Sequence, residues 1–211
     1  MPVILPELGN CKMNNSQLQH FILTRFNLYL WQRDKAGQKV RTMKWLEHRF
    51  TLFESYCLPS IKSQTCQDFE WIVLFDSMTP DRFKNKIAEY QKDYPRFVPV
   101  YVEPVNGHLF PQIFRDEVVK RLTAKRVVTS YLDNDDALNV RYVEDVQQRA
   151  SSVSDGTFIN YTDGCQFFSD YRYMMRIRYP RNHFVSLVEG GDHATVKTVF
   201  RYGGHYCIAK I

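Results

Sequence analysis

Residues 69–76, FEWIVLFD, form a near-continuous apolar run that ends in an acid. A strand with one wet face alternates apolar and polar side chains, so an unbroken run implies burial on both faces, as in the interior of a parallel sheet. Parallel neighbours cannot be joined by a tight hairpin; each pair needs a crossover of a dozen or more residues, usually a helix. The flanking sequence supplies such crossovers. After the run, TPDRFKNKIAEYQKDY offers Thr79 as N-cap, Pro80 at the first helical position, and Phe83, Ile87 and Tyr90 on one face.

The same alternation extends in both directions. HFILTRF (20–26) reads as a first strand, and TMKWLEHRFTLFESYCLPSIKSQ as a helix that Pro59 should bend or divide. RFVPVYVEPV is a third strand, PQIFRDEVVKRLTA a helix and RVVTSYLD a fourth strand. NVRYVEDVQQRASS is a helix capped by Asn139, followed by the strand GTFINY. Strands alternating with helices predict right-handed crossovers and a mainly parallel, mixed α/β sheet flanked by helices. The last third is aromatic-rich with shorter elements, and its order is not readable. With no repeat, low-complexity segment or linker, residues 1–211 are expected to form one domain, either alone or within a longer protein.

Of the 211 residues, 44% are hydrophobic and 24% charged, enough for one sizeable core. A net charge of +5 is too small and scattered for a dedicated DNA binder, but it suits a protein that holds an anionic small molecule. YRYMMRIRYPRNH mixes aromatics with arginines in a way that could stack bases, yet no nucleic-acid partner is expected. Five cysteines without C-x-x-C spacing signal neither zinc nor a disulfide framework, so reduced thiols and a cytoplasmic location are expected. The N-terminus lacks the basic region of a signal peptide, and no apolar run approaches the roughly 20 residues that span a bilayer.

In open α/β sheets, ligands bind at the carboxyl ends of the strands, near a change of strand order. Polar residues gather there: Thr24, Arg25 and Asn27 after the first strand, Asp76 after the second, and LDNDDAL after the fourth. Asp133, Asp135 and Asp136 are close enough to repel one another, which a bound cation or water would offset. Asp133 and Asp135 make a D-x-D, suited to magnesium or manganese. Helix capping by Asp136 or Asn139 and a solvated acidic turn also fit this stretch. An EF-hand does not, because Ala137 and Leu138 fall where an oxygen ligand and a glycine are needed.

Several blocks in order add to this reading. SIKSQTCQDFEWIVLFDSMTPD and YLDNDDAL resemble corresponding segments of the large inverting glycosyltransferase family. HFILTRFNL, YCLPSIKSQT, WIVLFDSMTP, LDNDDAL and NHFVSLVE are similar still more closely to the rhamnosyltransferase family of bacteria and large viruses. The resemblance implies a GT-A nucleotide-sugar fold and transfer of a sugar, rhamnose or a hexose, to an acceptor hydroxyl on a glycan or glycoprotein. It implies a nucleotide-sugar donor, UDP-linked in the first instance, and Mn2+ or Mg2+. By position, Thr24 and Arg25 meet the nucleotide, Asp76 accepts from uracil N3–H, and Arg115 and Gly164 face the donor. Asp133, Asp135 and Asp136 form the metal motif with Asn134 beside the nucleotide, and His205 is a late metal or diphosphate ligand. Glu189, and after it Asp192, are candidate bases for the acceptor hydroxyl. A sugar-phosphate nucleotidyltransferase is the rival enzyme class, but LTRFNLYL lacks the glycine-rich loop expected after its first strand. A binding module without catalysis is the non-enzymatic alternative.

Overall fold

A computed structural model describes residues 17–33, 37, 39–168, 170 and 172–200. Six strands form one sheet: β1 (Leu18–Arg25), β2 (Glu70–Asp76), β3 (Phe97–Val102), β4 (Arg126–Tyr131), β5 (Phe158–Asn160) and β8 (Val185–Gly190), in the order β3-β2-β1-β4-β8-β5. The β1–β2, β1–β4 and β2–β3 pairings are parallel, whereas β8 runs antiparallel to both β4 and β5. Strand order therefore reverses direction between β1 and β4, and their carboxyl ends open a crevice there. A separate hairpin, β6 (Asp163–Phe168) and β7 (Tyr173–Arg178), leaves the sheet after β5 and returns to β8.

Period-two alternation divides the core between the two faces. Along β2, Trp71, Val73 and Phe75 join one cluster with Phe26, Phe50, Phe53 and Phe97, while Ile72 and Leu74 join the other with Phe114, Val118, Tyr131 and Phe200. Burial of each large side chain contributes about 1.5–3 kcal/mol, which explains why β2 carries no polar residue between Glu70 at its half-buried start and Asp76 at its end. The first cluster lies beneath α1 (Met43–Leu52), α3 (Asp81–Asp93) and α5 (Tyr142–Ser152), and the second beneath α4 (Phe110–Arg121).

Several local expectations shift. Pro59 does not divide its helix. A π-turn over Phe53–Cys57 joins α1 to α2 (Leu58–Lys62), with Leu58 N–H reaching Phe53 O, and Pro59 falls in the first turn of α2 where no intrahelical N–H is needed. Thr79 does not cap α3. Its hydroxyl instead donates to Asp76 O at 2.6 Å and accepts from Asn27 Nδ2 at 2.9 Å, and Pro80 takes the cap position. Asn139 lies outside α5, closing an Asx turn onto Arg141 N–H at 3.0 Å. Against the expectation of reduced thiols throughout, Cys66 is disulfide-bonded, while Cys57 and Cys165 are free.

Candidate active site

The site is built by three loops at the carboxyl ends of β1 and β4 and before β8. Alternation places Arg25 and Tyr131 on the same face of adjacent strands, and Arg25 Nη2 donates to Tyr131 OH at 2.5 Å. The guanidinium lies 4.8 Å from the Phe110 ring centroid and 5.4 Å from that of Tyr131, so aromatic faces hold it where hydration is poor. Tyr131 OH in turn donates to Asp133 Oδ1, and Arg25 Nη2 lies 3.8 Å from the same oxygen.

After Asp133 the chain turns, with Asp136 N–H on Asp133 O at 3.2 Å. A turn brings positions i and i+3 together and throws i+2 outward. Asp133 and Asp136 accordingly converge on His183, which precedes β8: Nε2 is 2.6 Å from Asp136 Oδ2 and 3.8 Å from Asp133 Oδ2. One ligand atom from each of the three lies within 4.8 Å of the others. Asp135, the second acid of the D-x-D, points instead to Arg49 of α1, whose Nη1 is 2.7 Å away. The other arm of Arg49 donates to Asn134 Oδ1, and Asn134 Nδ2 donates to Phe26 O at 2.8 Å. Asn134 is buried and therefore braces the loop.

Burial, which disfavours charge, raises the Asp136 carboxyl above the usual range, although the His183 hydrogen bond opposes this. At His183 burial lowers the pKa, but the hydrogen bond and charge of Asp136, with Asp133 and Asp135 behind it, outweigh that and leave it raised. Cys57, beneath the loop with Sγ 3.7 Å from Asp133 O, is pushed well above the thiol range by burial and then by the three aspartates. It is a packing thiol rather than a nucleophile.

Two carboxylates and an imidazole within reach of one centre fit a divalent cation.

Other predicted residues lie elsewhere. Thr24, on the opposite face of β1 from Arg25, is buried and accepts from Trp71 Nε1 at 2.9 Å, so it faces the core. Asp76 ends β2 and is buried; its Oδ1 takes Met78 N–H at 2.7 Å and its Oδ2 is 2.6 Å from Arg41 Nη2, an ion pair rather than a well-aimed hydrogen bond. Arg115 is spent on the backbone, with Nε on Val196 O and Nη2 on His193 O, both 2.9 Å. Gly164 lies on the exposed strand β6, opposite Ile177.

Glu189 sits on β8 opposite Val127, six residues before Asp133, which places it about 20 Å away along the strand direction. Its carboxylate accepts from Lys197 N–H at 3.1 Å and Thr198 N–H at 2.9 Å. Asp192 follows at the same end, turning the chain through Ala194 N–H at 3.0 Å. The structure does not bring either acid to the Asp133 group, because β8 runs antiparallel and its end meets the start of β4. His205 lies outside the described residues. The residues that reading by sequence missed, His183 and Arg49, carry weak signals. His183 stands just before an apolar run, and Arg49 is one cation on a helix.

The family described as "Putative rhamnosyl transferase" matches residues 20–197. Among curated proteins nothing matches. Of solved structures, S. aureus TarS residues 1–349 are 16% identical with a TM-score of 0.41, covering 64% of this chain and 32% of that one. A second S. aureus TarS structure is 14% identical at a TM-score of 0.39, covering 64% and 20%. A 4-diphosphocytidyl-2C-methyl-D-erythritol synthase is 11% identical at 0.42, covering 91% and 84%.

Proposed function

The chain belongs to the rhamnosyl transferase family, a family of glycosyltransferases, and we propose that it moves a sugar, rhamnose or a hexose, from a nucleotide donor to a glycan hydroxyl. The donor class is a UDP-sugar and the fold is of GT-A type. The observation that supports this most directly is the convergence of Asp133, Asp136 and His183 at the point where strand order reverses.

In this reading those three residues hold manganese, which supplies positive charge to the diphosphate leaving group. Arg25, immobilised between aromatic rings and the Asp133 carboxylate, adds a fixed cation at the same place without reorganisation during reaction. Arg49 and buried Asn134 fix the loop that carries the aspartates, so both carboxylates are already oriented before the donor arrives. Asp76, at the end of β2, lies where a base would enter, and the Arg41 guanidinium must yield to it. Glu189 and Asp192, at the far end of the sheet, take no part in deprotonating the acceptor in this scheme.

The test is calorimetric binding of UDP, GDP and CMP, each with and without manganese, to the wild type and to Asp136→Asn. Metal-dependent binding of UDP that the substitution weakens at least about 100-fold is the expected result. Failure of every nucleotide to bind in any condition would sink the proposal.

A further inference from the structure

The carboxylate of Asp76 is buried, and most of its surroundings are fixed. Its backbone N–H donates to Asn27 Oδ1 at 3.0 Å, and its Oδ1 accepts from Met78 N–H at 2.7 Å. Oδ2 differs, because among the described residues no donor makes a hydrogen bond to it. Buried polar atoms are rarely left so, and each exception calls for an explanation. Its ion-pair partner is Arg41, whose Nη2 is 2.6 Å away but not aligned for a hydrogen bond.

Arg41 reaches that place in a costly conformation. Its φ is +66°, in the left-handed region that a residue with a Cβ seldom adopts. Such strain persists only where the surroundings impose it, and it gathers at ligand clamps and switches. The guanidinium carbon also lies over the exposed Tyr29 ring, 4.6 Å from its centroid. Gly107 lets the chain before α4 close on Tyr29, whose carbonyl oxygen would stand 3.0 Å from a Cβ at that position. One flat group thus covers an aromatic face and turns N–H toward a buried carboxylate oxygen. A planar base with an N–H edge would do the same, with its hydrogen bond aligned.

We infer that Tyr29 and Asp76 Oδ2 form the subsite for the donor's base, that Arg41 occupies it in the free protein as a stand-in, and that the open acceptor selects an imide, uracil or thymine. This rests on the nucleotide-sugar reading and adds the residues that choose the base and the one that competes with it. Uracil and thymine offer a single N3–H, which one oxygen satisfies. Cytosine presents a lone pair at N3, which a carboxylate repels. Guanine presents N1–H and N2–H side by side and needs both oxygens, one of which Met78 N–H already holds. The place also suits a nucleotide that ends at the acidic group. Leu23 of β1 is level with Ile72 of β2 and Tyr131 of β4, so Asp76 and Asp133 lie roughly 12 Å apart. The ribose between base and diphosphate bridges such a gap.

The experiment is calorimetric titration of UDP, CDP and GDP, each with manganese, into the wild type, Arg41→Gly, Tyr29→Ala and Asp76→Asn, with a thermal melt of each variant. UDP should bind the wild type at least about tenfold more tightly than CDP or GDP. Glycine suits the backbone at position 41 and removes the competitor. Arg41→Gly should therefore tighten UDP binding about tenfold, as expected when a site closed about nine times in ten is opened. Tyr29→Ala should weaken it about tenfold through lost stacking. In Asp76→Asn the amide oxygen keeps Met78 N–H and its N–H faces the subsite, so the preference should pass from UDP to CDP. Unchanged or weaker UDP binding by folded Arg41→Gly overturns the stand-in, and a folded Asp76→Asn that still prefers UDP overturns the base subsite. Either result leaves the transferase reading standing as long as the wild type binds UDP with metal. If no nucleotide binds any of the four proteins, both fall.

Discussion

His183 Nε2 and Asp136 Oδ2 stand 2.6 Å apart although 47 positions separate them in the chain. The contact joins the loop after β4 to the segment leading into β8, and only because β8 lies next to β4 in the sheet. It makes His183 the expected nitrogen ligand of the acidic group.

His183→Ala should therefore weaken manganese binding at least about 100-fold, more than loss of a residue that merely supports a ligand. Asp135→Asn should weaken it less than tenfold, because that carboxylate is turned toward Arg49. Titration of manganese followed by calorimetry compares the two directly, and equal losses would restore the D-x-D pair as the ligands.

Arg49 acts on the site by position. Its two arms hold Asp135 and Asn134, a planar fork that lysine cannot reproduce. Arg49→Met should lower metal affinity about tenfold, and Arg49→Lys should recover only part of it, with the nucleotide dependence on metal retained. Full recovery by lysine would show that charge alone matters.

Thr24 and Arg25 are neighbours with opposite expected phenotypes. Thr24→Val removes the acceptor of the buried Trp71 Nε1–H and should cost about 1–3 kcal/mol of stability with nucleotide affinity unchanged. Arg25→Met should reduce metal-dependent nucleotide binding instead. Urea denaturation and calorimetry on both variants separate the two roles.

Burial lowers His20 from 6.5 to about 3. Its Nε2 shares a hydrogen bond with Ser130 Oγ at 2.7 Å, and the ring is held neutral. The unfolded chain takes up a proton near pH 6.5 while the folded one resists until about pH 3. This contribution to stability is thus complete above 6.5 and is lost as pH falls through that window, by about 1.4 kcal/mol per pH unit. Urea midpoints between pH 7 and pH 4 should fall less steeply for His20→Leu than for the wild type, and parallel slopes would contradict the assignment.

Glu189→Gln should reduce stability through weaker acceptance from Lys197 and Thr198 N–H, by about 1–2 kcal/mol, and leave sugar transfer within about twofold. A loss of several orders of magnitude in turnover would return Glu189 to the catalytic centre.

By itself the sequence determined what local pattern encodes: the doubly buried run of β2, the helices between strands, and the clustering of Arg25, Asp76 and Asp133–Asp136 at strand ends. Alternation and helical periodicity are properties of neighbouring residues, so they are visible in one dimension. Tertiary structure alone decided which acids face one another. The turn from Asp133 to Asp136 exchanged Asp135 for Asp136, and the antiparallel insertion of β8 carried His183 toward the site and Glu189 away from it. Strand direction and pairing arise from contacts between residues far apart in the chain. A histidine before one apolar run and a glutamate at its end carry no mark of which end of the sheet each will reach.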